Sequence, residues 1–148
     1  MARTKIEADI EEHGWHRVHV FDEKSEKEDF SYTIGLEKTW DHPEVIIFGL
    51  ARDVSHQLLW SVVEDIKAQG AVKQKSRVPG VLAGDYEVIF LPVRKTAYAD
   101  YFGTALGYYN QEFRALVMLW PDKDNVLPTE AGCQVTVQRE ALGIIDGV

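Results

Sequence analysis

The chain has 148 residues, with 24 acidic against 16 basic side chains and a formal charge of −8. That field repels phosphate backbones and anionic membrane surfaces, which disfavours direct nucleic-acid or membrane binding; it could steer a basic protein partner, and the simpler reading is solubility alone. A lone cysteine, Cys133, cannot close an internal disulfide, no paired Cys/His zinc spacing occurs, and no apolar run approaches the roughly 18–20 residues of a membrane span.

The length fits one domain over residues 1–148, and the acidic opening "MARTKIEADIEEHG" lacks the apolar stretch of a secretory leader, so the expectation is a cytoplasmic protein. In that opening, Thr4 and Glu7 have capping-box spacing and Gly14 can end a short helix. "WHRVHVF" then reads as a strand from Trp15, and "DEKSEKED" as a solvated turn. "FSYTIGL" and "EVIIFGL" are rich in β-branched and aromatic residues and are joined by a short connection carrying Asp41 and Pro43, which predicts a hairpin.

From 53 to 69, Val54, Leu58, Leu59, Val62, Val63 and Ile66 recur at helical spacing, with Asp53 as a candidate N-cap and Gly70 as a stop. "AVKQKSRVPGVLAG" reads as an edge strand running into a turn, and "DYEVIFLPV" as a strand ending near Pro92. A short helix is expected within residues 97–113. "RALVMLWPD" reads as a buried strand and "CQVTVQ" as the last one. The order gives an α+β class. The expected architecture is a curved antiparallel sheet or partly closed β-barrel, with one long packed helix and short helices near the N-terminus and in the C-terminal half.

"YTIGLEKTWDHPEVIIFGL" followed by "YYNQEFRALVMLWPD" resembles the bacterial family called domain of unknown function 4262. The matching positions are Tyr32, Thr33, Gly35, Leu36, His42, Pro43, Glu44, Gly49, Trp120, Pro121 and Asp122, and the resemblance runs from residue 14 to about residue 142. Where the family pattern implies Pro-Trp-Glu, this chain has Pro128, Thr129 and Glu130. The resemblance implies a family and no chemistry.

Candidate ligand-binding residues are Tyr32, Thr33, His42, Glu44, Trp120 and Asp122. His42 and Glu44 flank Pro43, and in an extended segment they share a side, where imidazole and carboxylate could move a proton. Two groups do not make a metal site, and the simpler reading has both bonding turn backbone. His13, His16 and His19 do not share one face, so no metal is assigned to them. Lys73, Lys75 and Arg77 alternate, which makes them the anion-binding candidate if extended; the simpler reading is an edge strand protected by charge.

No Gly-x-Ser-x-Gly elbow, Gly-x-Gly-x-x-Gly or Walker-type loop occurs, so no catalytic residue, metal or cofactor is assigned. The expected function is a non-enzymatic binding module, of the kind an acidic inhibitor or immunity-type protein would be, with a basic protein partner. The alternative is a small flavin- or nucleotide-binding barrel with redox activity and a small-molecule ligand.

Overall fold

The computed structural model describes residues 4–21 and 28–146. Helix α1, Lys5–His13, opens on the expected box: the Glu7 amide donates to Thr4 Oγ1 at 3.1 Å and the Thr4 amide donates back to Glu7 Oε1 at 3.2 Å. Gly14 ends it in the left-handed region. Strands β1 (His16–Val20), β2 (Phe30–Ile34) and β3 (Glu44–Phe48) follow as antiparallel neighbours. Residues 22–27, most of the expected solvated turn, lie outside the described residues.

The β2–β3 connection is more than a turn, since it holds a short helix α2, Leu36–Trp40. Helix α3, Arg52–Gln69, starts one residue before the expected cap, with Ala51 at the N-cap and Asp53 in the first turn. Its 18 residues span about 27 Å, enough to carry the chain across a sheet face. The expected edge strand shrinks to β4, Arg77–Val78, which pairs with β5, Val88–Pro92. A 3₁₀ turn and two short helices, α4 (Tyr98–Tyr101) and α5 (Gly103–Tyr108), lead to β6, Ala115–Leu119, and α6, Arg139–Gly143, closes the described chain.

The sheet is open and mixed, in the order β1-β2-β3-β6-β5-β4. The α+β class holds, but β3 and β6 run parallel where an antiparallel sheet or barrel was expected. Two antiparallel halves thus meet at one parallel seam. A parallel pair needs a long crossover, here everything from α3 to α5, and local alternation of residues carries no trace of it. "CQVTVQ" forms no strand: Gln138 instead uses its side-chain amide on the backbone of Trp120, accepting from its N–H at 3.1 Å and donating to its carbonyl at 2.8 Å.

Each face of the sheet has its own core. Leu59, Val62, Val63 and Ile66 of α3 pack on Val45, Ile47, Leu116 and Met118. On the other face, Ile10, Tyr98, Phe102 and Ala141 from the remaining helices cover Tyr32, Ile46, Phe48 and Val117. Of the aromatic run of residues 98–113, Tyr98, Phe102 and Phe113 are core and Tyr101, Tyr108 and Tyr109 pack half-buried against it, with Phe102 set edge-on to Tyr32 at 4.9 Å between centroids. No helix among the described residues is long and apolar enough to cross a membrane.

Candidate functional site

Glu44 is fully buried at the start of β3. Its carboxylate accepts from Thr33 Oγ1 at 2.7 Å, from the amides of Gly35, Leu36 and Glu37 at 3.1–3.2 Å, and from the Tyr109 hydroxyl. Those three amides are the unpaired donors at the start of α2, so the carboxylate caps that helix from the neighbouring strand. Gly35 is required there: its φ is 115°, and a Cβ would lie 2.7 Å from the Gly14 carbonyl. Burial pushes the Glu44 carboxyl up to about 7, against the pull of Tyr109, Thr33 and the amides.

His42 donates from Nδ1 to the Pro43 carbonyl at 2.8 Å, which leaves Nε2 to accept the Val72 amide at 3.2 Å. Both ring nitrogens are committed, and burial lowers the pKa of the ring. Tyr32 is equally occupied, its hydroxyl accepting the Thr104 amide at 3.2 Å. Thr33 donates to Glu44 and accepts the Val45 amide at 3.0 Å.

Trp120 donates from Nε1 to the Phe48 carbonyl at 2.8 Å. Asp122 gathers the amides of Asp124, Val126 and Gln134 at 2.9–3.0 Å, and these amides hold its carboxyl below the usual range. The structure therefore joins Tyr32, Thr33 and Glu44 in one buried region but sets Trp120 and Asp122 apart. Glu44 pairs with Ala115 at the start of the parallel seam, and Trp120 lies beside Phe48 at its end, roughly 13 Å along the strand. His42, Glu44, Trp120 and Asp122 do not converge on one cavity.

The Lys73, Lys75 and Arg77 alternation is broken because Lys75 is left-handed at φ 64°. Arg77 is bound to Glu130, to Glu87 at 3.2 Å and to the Asn125 carbonyl at 2.8 Å. No shared anion cradle results: one of the three cations is already neutralised, and the other two do not sit on a common strand.

Two hollows instead flank β1. One, of about 540 Å³, lies between α1 and α3 at the start of the strand, with Trp15, Arg17 and Trp60 on its wall. The other, of about 400 Å³, opens where β1 ends: Val20, Phe21, Phe30 and Tyr101 give an apolar wall, and Glu28, Asp100 and Glu140 supply carboxylates. Glu28 caps α6 by accepting the amides of Arg139 and Glu140 at 2.9 Å, while Glu140 accepts the Glu28 amide at 3.1 Å and the Tyr101 hydroxyl at 2.8 Å. No cation among the described residues forms an ion pair with any of the three. Burial and the Glu140 carboxylate push the Tyr101 hydroxyl up to about 12, so it stays a donor.

A family model described as a domain of unknown function, DUF4262, matches residues 9–134. The chain belongs to the DUF4262 family. No curated protein and no solved structure matches it. In this DUF4262 chain the Gly35 amide is spent on the Glu44 carboxylate and the Tyr109 hydroxyl, and His42, Glu44, Trp120 and Asp122 each bond neighbouring backbone groups.

Sequence reasoning passed over the acidic hollow. Its members come from the end of β1, the start of β2, α4 and α6, separated by more than a hundred residues in the case of Glu28 and Glu140. The available signal was Phe21, a large apolar residue ending an alternating strand just before a charged run, and it is 62% exposed.

Proposed function

We propose that the chain is a non-enzymatic binding module that captures a cationic side chain of a basic protein partner, as an acidic inhibitor or immunity-type protein would. The observation that carries this is the hollow with three carboxylates and aromatic walls, to which no cation among the described residues is paired. An ammonium or guanidinium entering it meets charge of opposite sign and ring faces together, the pairing that recognises organic cations. The formal charge of −8 steers such a partner inward, and the effect weakens with salt.

The test uses a lysine derivative blocked at both ends of its backbone, compared with the same molecule acetylated on its side-chain nitrogen. Backbone resonances of Phe21, Asp100 and Tyr101 should move with the charged form only, less so at high salt, and less in Asp100→Asn. Equal movement with the uncharged form removes the reading.

A further inference from the structure

The two edges of the sheet are unequal. At one end β4 offers two residues, Arg77 and Val78, and a strand that short is a poor template for another chain. At the other end β1 offers five residues in uninterrupted register with β2, from His16 opposite Ile34 to Val20 opposite Phe30. It carries no proline, no bulge and no lysine, the usual devices that blunt an exposed edge. In an antiparallel pair, alternate residues turn their N–H and C=O away from the partner, so one side of β1 keeps unused backbone groups. The hollows at its two ends lie about four residues apart, roughly 13 Å.

We infer that the outer edge of β1 is the docking line for the partner, whose extended segment adds a strand there and places a lysine or arginine in the acidic hollow. The inference rests on the capture of a cation proposed above and names how the rest of the partner sits. Charge complementarity selects the occupant at one end: the hollow at the end of β1 presents Glu28, Asp100 and Glu140, so a basic residue is drawn there and an acidic one is repelled, while Arg17 at the start of the strand disfavours a second cation. Backbone pairing supplies affinity that is indifferent to sequence, and the two hollows read side chains about four residues apart. At the far hollow, Asp9 is paired with Lys5 at 2.9 Å and with His16 at 2.8 Å, and Glu64 with Lys67 at 3.0 Å, whereas Arg17 has no ion pair among the described residues and stands over the Trp15 ring. Trp60, 53% exposed, adds an open indole for a flat or apolar side chain.

The probes are short synthetic peptides alternating threonine and valine with one terminal lysine. Three comparators carry glutamate in place of the lysine, or N-methyl groups on one or the other set of alternate amides. Amide exchange should slow across residues 16–20 with the lysine peptide and stay unchanged at Arg77 and Val78. Glutamate, and N-methylation on the set that faces β1, should each weaken binding about tenfold or more. If the blocked lysine derivative titrates the hollow but the peptide leaves β1 unprotected, or if both N-methylated peptides bind as well as the parent, strand docking is overturned while cation capture stands. If neither the derivative nor the peptide binds, both fall.

Discussion

Replacing Glu44 by Gln isolates one buried proton. In the native fold the carboxyl is shifted from the usual 4.5 up to about 7, with burial the leading cause. The folded state therefore holds this proton more tightly than the unfolded chain does. Its contribution to stability is complete below pH 4.5 and disappears as the pH rises through 7. At about 1.4 kcal/mol per pH unit across that interval, the loss is ~3 kcal/mol. Gln carries no titrating proton, so the stability difference between Glu44→Gln and the native chain should change by roughly that amount between pH 4 and 8, in favour of the variant as the pH rises. Urea unfolding at closely spaced pH values, followed by tryptophan fluorescence, measures it, and other titrating groups cancel in the difference. A difference that stays flat would mean that five donors keep Glu44 ionised throughout, and the assignment of a near-neutral proton would be wrong.

Tyr109→Phe removes one of those donors and should cost about 1–2 kcal/mol in unfolding experiments while moving the Glu44 midpoint upward, because the lost hydroxyl favours the charged form. Gly49→Ala should be worse, about 2–4 kcal/mol, since φ is 83° and the new Cβ would run into the Val137 carbonyl oxygen; a melt within error of the native chain would show that this contact relaxes. His56 lies at the join of α3 and β1, 6.3 Å from His19 between centroids, with its Nε2 shielded and without a hydrogen-bond partner among the described residues. Burial, then Arg17, Arg52 and His19, lower its pKa from 6.5 against the opposing pull of Asp53. Its stabilising share is therefore present above pH 6.5 and lost as the pH falls. His56→Leu should be no less stable at pH 8 and should lose that decline, as thermal melts across the range would show.

The hairpin of β2 and β3 was legible because both strands are bounded, β-branched runs, and α3 because its apolar residues recur every three to four positions. Helix α2 was not, because its five residues are too few to form alone and owe their start to Glu44, eight positions further on from Leu36. The parallel seam escaped for a related reason: Glu44 opposite Ala115 is a pairing set by the route of the chain and not by either neighbourhood. The Lys73, Lys75 and Arg77 alternation was a true pattern in a segment that does not stay extended, since Lys75 turns left-handed and Arg77 swings to Glu130. His42 and Glu44 stand out in the sequence between apolar runs, and their being fully hydrogen-bonded inside is what allows polar groups to sit there.

The residues that join the scaffold differ from those that line the acidic hollow in what their substitution costs. Glu44 fastens α2 to the sheet, His42 ties the same loop to the segment after α3, and Trp120 and Asp122 anchor the chain leaving β6. Change any of them and a buried donor or acceptor is left alone, at a cost set by the fold and not by a ligand. Glu140 is different in kind: it lies beyond the matched residues 9–134, and one side of it faces the acidic hollow. Asp100 and Phe21 are exposed. Glu140 also holds the Glu28 amide and the Tyr101 hydroxyl, whereas the Asp100 carboxylate has no hydrogen-bond partner among the described residues, so the charge of the hollow can change at Asp100 without changing the sheet. Asp100→Lys should accordingly unfold like the native chain within about 0.5 kcal/mol, as surface changes do, yet bind the lysine peptide at least about tenfold less tightly. Equal binding by that variant would separate the hollow from recognition altogether.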